Sequence, residues 1–352
     1  MKTDSELMHL YTNNTGRKSF QWELWSECNN LCDFCYLGAT NRKINNKDRH
    51  MASLDELNKC IDELDFSVYN NISLIGGEFF QGQLNDSDLH NKFMATMKKL
   101  ADLYNDEKIG SIWLTATLTT GDQKHLYEVL DIFENKKALP KKEWGASGLW
   151  LCTSWDTVGR FHTPKHLETW DFHMKNIRKK YPWVKFNTTI ILQEAFILDY
   201  LNNKWSPKDF MEEYNTSLFY KQSGTGMISG EDFAQLGTTA EERQIKAKKI
   251  INERLGYNFF PRRKIFLEFL KKYALEDSDT FDRLFNIKYR ADDLFRNFNH
   301  ETSSIKCARF KDGRPEAALA ALNECGHLLD YACYIDNNKC AICDRNQIME
   351  SL

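Results

Sequence analysis

The chain has 352 residues, 42% of them hydrophobic and 13% aromatic, enough for one large domain or a domain with a small appendage and at odds with intrinsic disorder. Its net charge of -3 calls for neither nucleic acid nor an anionic membrane surface as partner. No apolar run reaches the about 18 residues needed to span a bilayer. The amino terminus, Met1-Lys2-Thr3-Asp4-Ser5-Glu6, carries early acids and no apolar h-region, so no secretory signal is expected and the cytoplasm is the expected compartment. Ten cysteines in such a chain point to metal ligation rather than disulfides.

In chain order, Ser19 to Trp25 alternates polar and apolar residues and predicts a strand. Next comes Glu27-Cys28-Asn29-Asn30-Leu31-Cys32-Asp33-Phe34-Cys35-Tyr36, a C-x3-C-x2-C run. Three thiolates on one short loop can hold three irons of a cubane cluster and leave the fourth iron open to a small molecule. Zinc is the rival metal, but a structural zinc site wants four closed ligands, commonly in C-x2-4-C pairs. Ser53-Leu54-Asp55-Glu56 reads as a capping box that opens a helix with Leu57, Cys60, Ile61 and Leu64 on one face.

Asn71 to Ile75 predicts the second strand, 86–105 a helix, Ser111 to Leu118 the third strand and 122–135 a helix. Gly148 to Asp156 is the fourth strand, 164–180 a helix, Val184 to Leu192 the fifth strand and Ser217 to Tyr220 a candidate sixth. Repeated βα units of this length predict an α/β fold, a parallel sheet with helices outside, as a barrel or partial barrel. From about 230 to 300 helical signals dominate. The runs Glu241-Glu242-Arg243 and Pro261-Arg262-Arg263-Lys264 read as solvated helix faces, because acids interleave with the bases.

Several strand ends carry chemistry. Gly76-Gly77-Glu78 follows the second strand; a Gly pair admits close backbone approach, and the carboxylate can accept bonds from an ammonium group. The alternative is a simple turn. Thr119-Thr120-Gly121 ends the third strand, either as a ligand contact or as an ordinary turn. At the fourth, Trp150, Cys152, Ser154 and Asp156 share a face, and Ser154 with Asp156 suits a ribose or a carboxylate; the alternative is Asp156 as a helix cap. On the fifth strand Asn187, Thr189 and Gln193 oppose Phe186, Thr188 and Ile190, and the set that faces inward is open. Cys60 and Cys152 read as buried or lining thiols, and His166, Trp170 and His173 as surface or packing residues on a helix. Cys307, Cys325, Cys333, Cys340 and Cys343 form a second metal signal, closed by the C-x2-C pair Cys340-Ala341-Ile342-Cys343.

The C-x3-C-x-aromatic-C loop just after a first strand, with Phe34 in the aromatic slot, resembles the signature of the radical S-adenosylmethionine (SAM) superfamily. That resemblance implies a partial (β/α)6 barrel over residues 18–225, followed by a helical connector over 226–304 and a small cysteine-rich auxiliary metal domain over 305–352. It also implies a [4Fe–4S] cluster on Cys28, Cys32 and Cys35, whose open iron binds the amino and carboxylate groups of SAM. Reductive cleavage to a 5'-deoxyadenosyl radical and hydrogen abstraction from substrate would follow, with an electron donor such as flavodoxin or ferredoxin.

Phe34, Tyr36, Gly76, Gly77, Glu78, Thr119, Ser154 and Asp156 are the cofactor-binding residues the resemblance implies. Gly76-Gly77-Glu78 resembles the family's element for the SAM amino group. Thr119-Thr120-Gly121 resembles its Thr-Asn-Gly, and Ser154-Trp155-Asp156 with Asn176-Ile177 resembles segments of peptide-modifying members. The fifth-strand glycine motif is absent. The tail resembles a SPASM or Twitch extension in the order Cys307, Gly326, Cys333, Cys340, Cys343, which leaves Cys325 over, and implies at most one auxiliary [4Fe–4S] cluster; zinc is the alternative.

The expected function is hydrogen abstraction from a peptide or protein substrate. The alternative is a small metabolite or nucleotide, and a third reading is a non-catalytic metal-binding or electron-transfer module, which has no need of the Gly76-Gly77-Glu78 element. The 18 residues before the first strand leave no room for a peptide-recognition domain, so leader recognition is expected from a separate partner.

Overall fold

A computed structural model describes residues 18–276, apart from positions 26, 36–46, 68, 137–146, 224–226 and 229. Tyr36 and the cysteine-rich tail with Cys307, Cys325, Cys333, Cys340 and Cys343 lie outside the described residues, as does the connector beyond 276.

Six strands form one sheet: β1 (Lys18–Glu23), β2 (Tyr69–Ile75), β3 (Ser111–Thr115), β4 (Gly148–Ser154), β5 (Lys185–Leu192) and β6 (Thr216–Gln222). They pair in sequence order, every pair parallel. In a sheet wound one way, right-handed crossovers return each connecting helix to the same face. The period of two then places Ile72, Leu74, Ile112, Leu114, Leu149 and Leu151 in one continuous core with those helices.

The helices that close the core are α1 (Lys47–Glu63), α2 (Ser87–Asn105), α3 (Lys124–Asn135) and α4 (Pro164–Lys180). In α2 the buried residues Leu89, Phe93, Met97, Leu100 and Tyr104 follow helical spacing. Asp86 caps it by accepting from Asp88 N and Leu89 N, and Thr163 caps α4 ahead of Pro164.

Two expected boundaries shift. Helix α1 begins at Lys47, so Ser53 is interior and no cap; its hydroxyl donates to Leu24 O at 2.6 Å and accepts from Trp22 Nε1 at 3.4 Å, tying the helix to β1. Strand β3 ends at Thr115 because the chain turns at Leu118, which takes φ +58°.

Between β5 and β6 lie two helices, α5 (Glu194–Leu201) and α6 (Pro207–Tyr214). Beyond β6 come α7 (Gly230–Gln235), α8 (Ala240–Leu255) and α9 (Arg263–Glu276). Phe266, Phe269 and Tyr273 of α9 join Ile190, Phe196 and Tyr200 in a second core. Arg262 binds Glu194 through Nη2 at 2.8 Å and through its backbone N at 2.9 Å. None of the described helices is long and apolar enough to cross a membrane.

Candidate functional site

The cysteine loop is an extension of the β1–β2 ladder. Leu24 N donates to Ile75 O, Gly77 N to Trp25 O and Glu78 N to Glu27 O, each at 2.9 Å. This approach requires the glycine at Gly76, where φ is +147° and a Cβ would lie 2.1 Å from Trp25 O. Trp25 Nε1 donates to Glu78 O at 3.1 Å, and Gln81 holds the loop from its other side, donating to Glu27 O and accepting from Asn29 N. Glu27, next to Cys28, is buried with its Oε1 3.0 Å from His50 Nε2 on α1. Cys28 is thereby fixed beside Gly76-Gly77-Glu78, as the two motifs require if they serve one ligand.

The thiols sit among N–H donors. Asn30 N lies 3.4 Å from Cys28 Sγ, Asn30 Nδ2 donates to Cys32 Sγ at 3.2 Å, and Arg160 Nη1 reaches Cys32 Sγ at 3.5 Å. Leu31, at φ +49°, turns the loop between them. Asp33 N donates to Gly159 O at 2.8 Å and His162 Nε2 lies 2.8 Å from Leu31 O, so the loop is also tied to the segment after β4. Burial, followed by the charge of Glu78, pushes the Cys28 thiol up to about 12. A metal bound to the three sulfurs deprotonates them outright, and N–H bonds to the sulfurs then stabilise the thiolates. The donor set therefore fits an iron–sulfur cluster held on three cysteines.

Phe34 lies with Cys32 in a small core that also holds Ile251, Phe259 and Phe260, stacked on Phe259 at 5.5 Å. The residues that follow β6 thus form part of the support for the cysteine loop. Gly159 (φ +79°) lets Tyr257 and Phe34 close over the site; a Cβ there would meet Tyr257 Oη at 2.5 Å. The Tyr257 hydroxyl is buried without a hydrogen-bond partner among the described residues, and burial raises its phenol above the ordinary value.

Asp156 is fully buried and wholly committed to the protein. Its Oδ1 accepts from Ile191 N at 2.7 Å and its Oδ2 from Arg160 Nε. Burial drives its carboxyl upward, and the Arg160 charge and the Ile191 N–H oppose that. The Arg160 guanidinium lies 5.2 Å from the Phe34 ring centroid while it contacts Cys32. A chain of contacts therefore runs from β5 through Asp156 and Arg160 to the cysteine loop. Ser154 is half-buried at the end of β4, paired in register with Thr189.

Glu78 is likewise buried. Its Oε1 accepts from Phe80 N at 2.9 Å, and its Oε2 accepts from Thr117 N at 2.6 Å and from the Thr117 hydroxyl. Burial raises its carboxyl and these donors lower it. Thr119 Oγ1 joins the network 3.2 Å from Thr117 Oγ1. Glu78 and Thr119 are thus brought together at adjacent strand ends, through a residue, Thr117, that the sequence reading did not single out.

The orientation left open on β5 is resolved by the helices. Phe186 and Ile190 enter the two cores, so Asn187 and Thr189 face the opposite side with Thr115, Cys152 and Ser154. At the N-terminal end of that face, Trp113 and Trp150 stack at 4.4 Å. Burial pushes the Cys152 thiol up to about 12. Trp170 is a core residue that donates to Thr153 Oγ1 at 3.0 Å, and His173 is buried beside Tyr127 and Thr120 O.

No family model matches the chain, and no curated protein matches it. Arg160, Thr117 and Asn30 were the residues of the site not read from sequence. Arg160 offered one signal, a cation four positions after Asp156 and close to the cysteines only through the fold.

Proposed function

We propose that the chain is a radical SAM enzyme built on a partial (β/α)6 barrel, with a [4Fe–4S] cluster on Cys28, Cys32 and Cys35. The supporting observation is the three-cysteine loop, whose lead-in at Trp25 and Glu27 is hydrogen-bonded to Gly77 and Glu78 and two of whose sulfurs receive N–H donors. Six parallel strands in sequence order, with the helix-packed core on one face, suit such a barrel. A cluster held by Cys28, Cys32 and Cys35 would supply the one-electron reduction that cleaves a carbon–sulfur bond of SAM.

The residues of the chain then divide the remaining work. Asn30 and Arg160 hold the sulfurs as thiolates by N–H donation. Asp156 neutralises and aims Arg160, and so positions rather than touches the ligand. Glu78, with Thr117 and Thr119, shapes the corner beside Cys28 where the amino group of SAM binds. Phe34, Phe259 and Tyr257 exclude water from one side of the loop, and Ser154 and Thr189 offer hydroxyl groups on the open face. Hydrogen abstraction from a peptide or protein side chain is the reaction we assign, with the tail cysteines as holders of a second metal centre.

Anaerobic reconstitution with iron and sulfide tests the cofactor. The expected result is about four irons lost from the Cys32→Ala protein relative to wild type, and an electron paramagnetic resonance signal of the reduced wild-type cluster that changes when SAM is added. A signal indifferent to SAM contradicts the assignment.

A further inference from the structure

We propose that His90, His125 and Glu128 form a binding site for a divalent first-row transition-metal ion, best matched by zinc, across the first turns of α2 and α3. Nothing in the cysteine chemistry uses these residues. Glu128 Oε2 lies 2.7 Å from His90 Nε2 and 3.1 Å from His125 Nδ1, and the three atoms all fall within 4.8 Å of one another. Ligand atoms about 2.0–2.1 Å from a tetrahedral zinc stand roughly 3.3 Å apart, so a small widening of this trio accommodates the ion.

The trio is preset by the fold. His125 and Glu128 are separated by one helical turn and share a face of α3. His90 comes from α2, which packs beside α3 in the main core, and the two imidazoles lie 5.1 Å apart between centroids. The other nitrogen of His125, Nε2, lies 3.3 Å from Asn85 Oδ1. When Nε2–H donates to Asn85, the lone pair of Nδ1 points at a carboxylate oxygen, an arrangement that a proton or a metal cation must bridge. Such an outer partner orients a ligating histidine and sets its tautomer.

Burial lowers the His125 pKa, against the opposing pull of Glu128. Its side chain is 7% exposed, whereas His90 at 27% and Glu128 at 46% leave an entry route and a fourth position for water. Two imidazoles and one carboxylate select zinc and its neighbours over calcium or magnesium, which take oxygen ligands. The helix amino termini and Lys124 disfavour a cation here, and the Glu128 charge is what offsets them. A metal-free triad that shares protons is the competing account of the same geometry.

Equilibrium dialysis of the cluster-loaded protein against zinc, with metal analysis and zinc X-ray absorption, separates the two. The proposal predicts a zinc with a nitrogen and oxygen shell at about 2.0–2.1 Å, distinct from any thiolate-bound zinc at about 2.3 Å. His125→Ala and His90→Gln should each abolish that shell and lower zinc content by one equivalent, while Asn85→Ala should weaken binding about tenfold. His90→Gln, at a partly exposed site, carries the test if His125→Ala does not fold, as judged by circular dichroism. Equal zinc content and an unchanged shell in wild type and His90→Gln overturn the proposal, as does a wild-type shell of sulfur alone.

Discussion

Neighbouring residues on the same strands meet two different environments. Leu74, Leu114 and Leu151 point into the helices and are fully buried, whereas Ser73, Thr115 and Cys152 beside them face the other side and stay half-buried. Apolar burial is worth about 25 cal/mol per Å², so stability is concentrated on the helix-covered face. The opposite face buries the Trp113–Trp150 stack at its amino end and leads at its carboxyl end to the cysteine loop, Glu78, Thr119 and Asp156. Polar groups there are held by specific partners rather than by packing.

Substitutions that break this contrast come first. Asp156→Ala should have the largest effect on folding, about 3–5 kcal/mol, because it leaves the Arg160 guanidinium buried and unpaired against Cys32. Chemical denaturation measures it, and a loss below about 1 kcal/mol would show that Arg160 finds other partners. Leu114→Ala should cost about 2–5 kcal/mol as a core truncation. Its neighbour Thr115→Ala, which loses a 3.4 Å contact to Leu74 O, should stay within about 0.5 kcal/mol. Similar losses for the two would erase the distinction between the faces.

Glu78→Gln sharpens it further. The new amide must present a donor where Phe80 N and Thr117 N already donate, so a stability loss of about 1–3 kcal/mol is expected along with weaker SAM binding. Weaker SAM binding at unchanged stability would move Glu78 from shaping the corner to contacting the ligand. The last effect appears only at alkaline pH. Cys152, pushed up to about 12, keeps its proton in the folded state while the unfolded chain releases it near 9. The folded state then binds more protons, so this thiol's contribution falls as pH rises from about 9 to 12. Cys152→Ser should flatten that part of the stability profile.

Much of this architecture was legible from periodicity and punctuation. The alternation in β1 and the Thr163-Pro164 start of α4 need only local rules. Other features depend on partners distant in sequence. Ser53 looked like a cap because Glu56 follows it, but its hydroxyl serves Leu24 across the sheet contact. β5 carries polar residues on both sides, so only the positions of the helices decide that Asn187 and Thr189 face away from the core. Arg160 and Thr117 reach Cys32 and Glu78 through the fold alone, and Phe259, remote in sequence from Phe34, gave no sign that it would cover the cysteine loop.

The most direct test of the central claim is the formation of 5'-deoxyadenosine by the reconstituted protein given SAM and dithionite. The account predicts that the wild-type chain produces it, and that Cys28→Ala, Cys32→Ala and Cys35→Ala each produce none while they retain the folded sheet. Formation of 5'-deoxyadenosine by Cys32→Ala, or none by a wild-type protein that holds its full complement of iron, would contradict it.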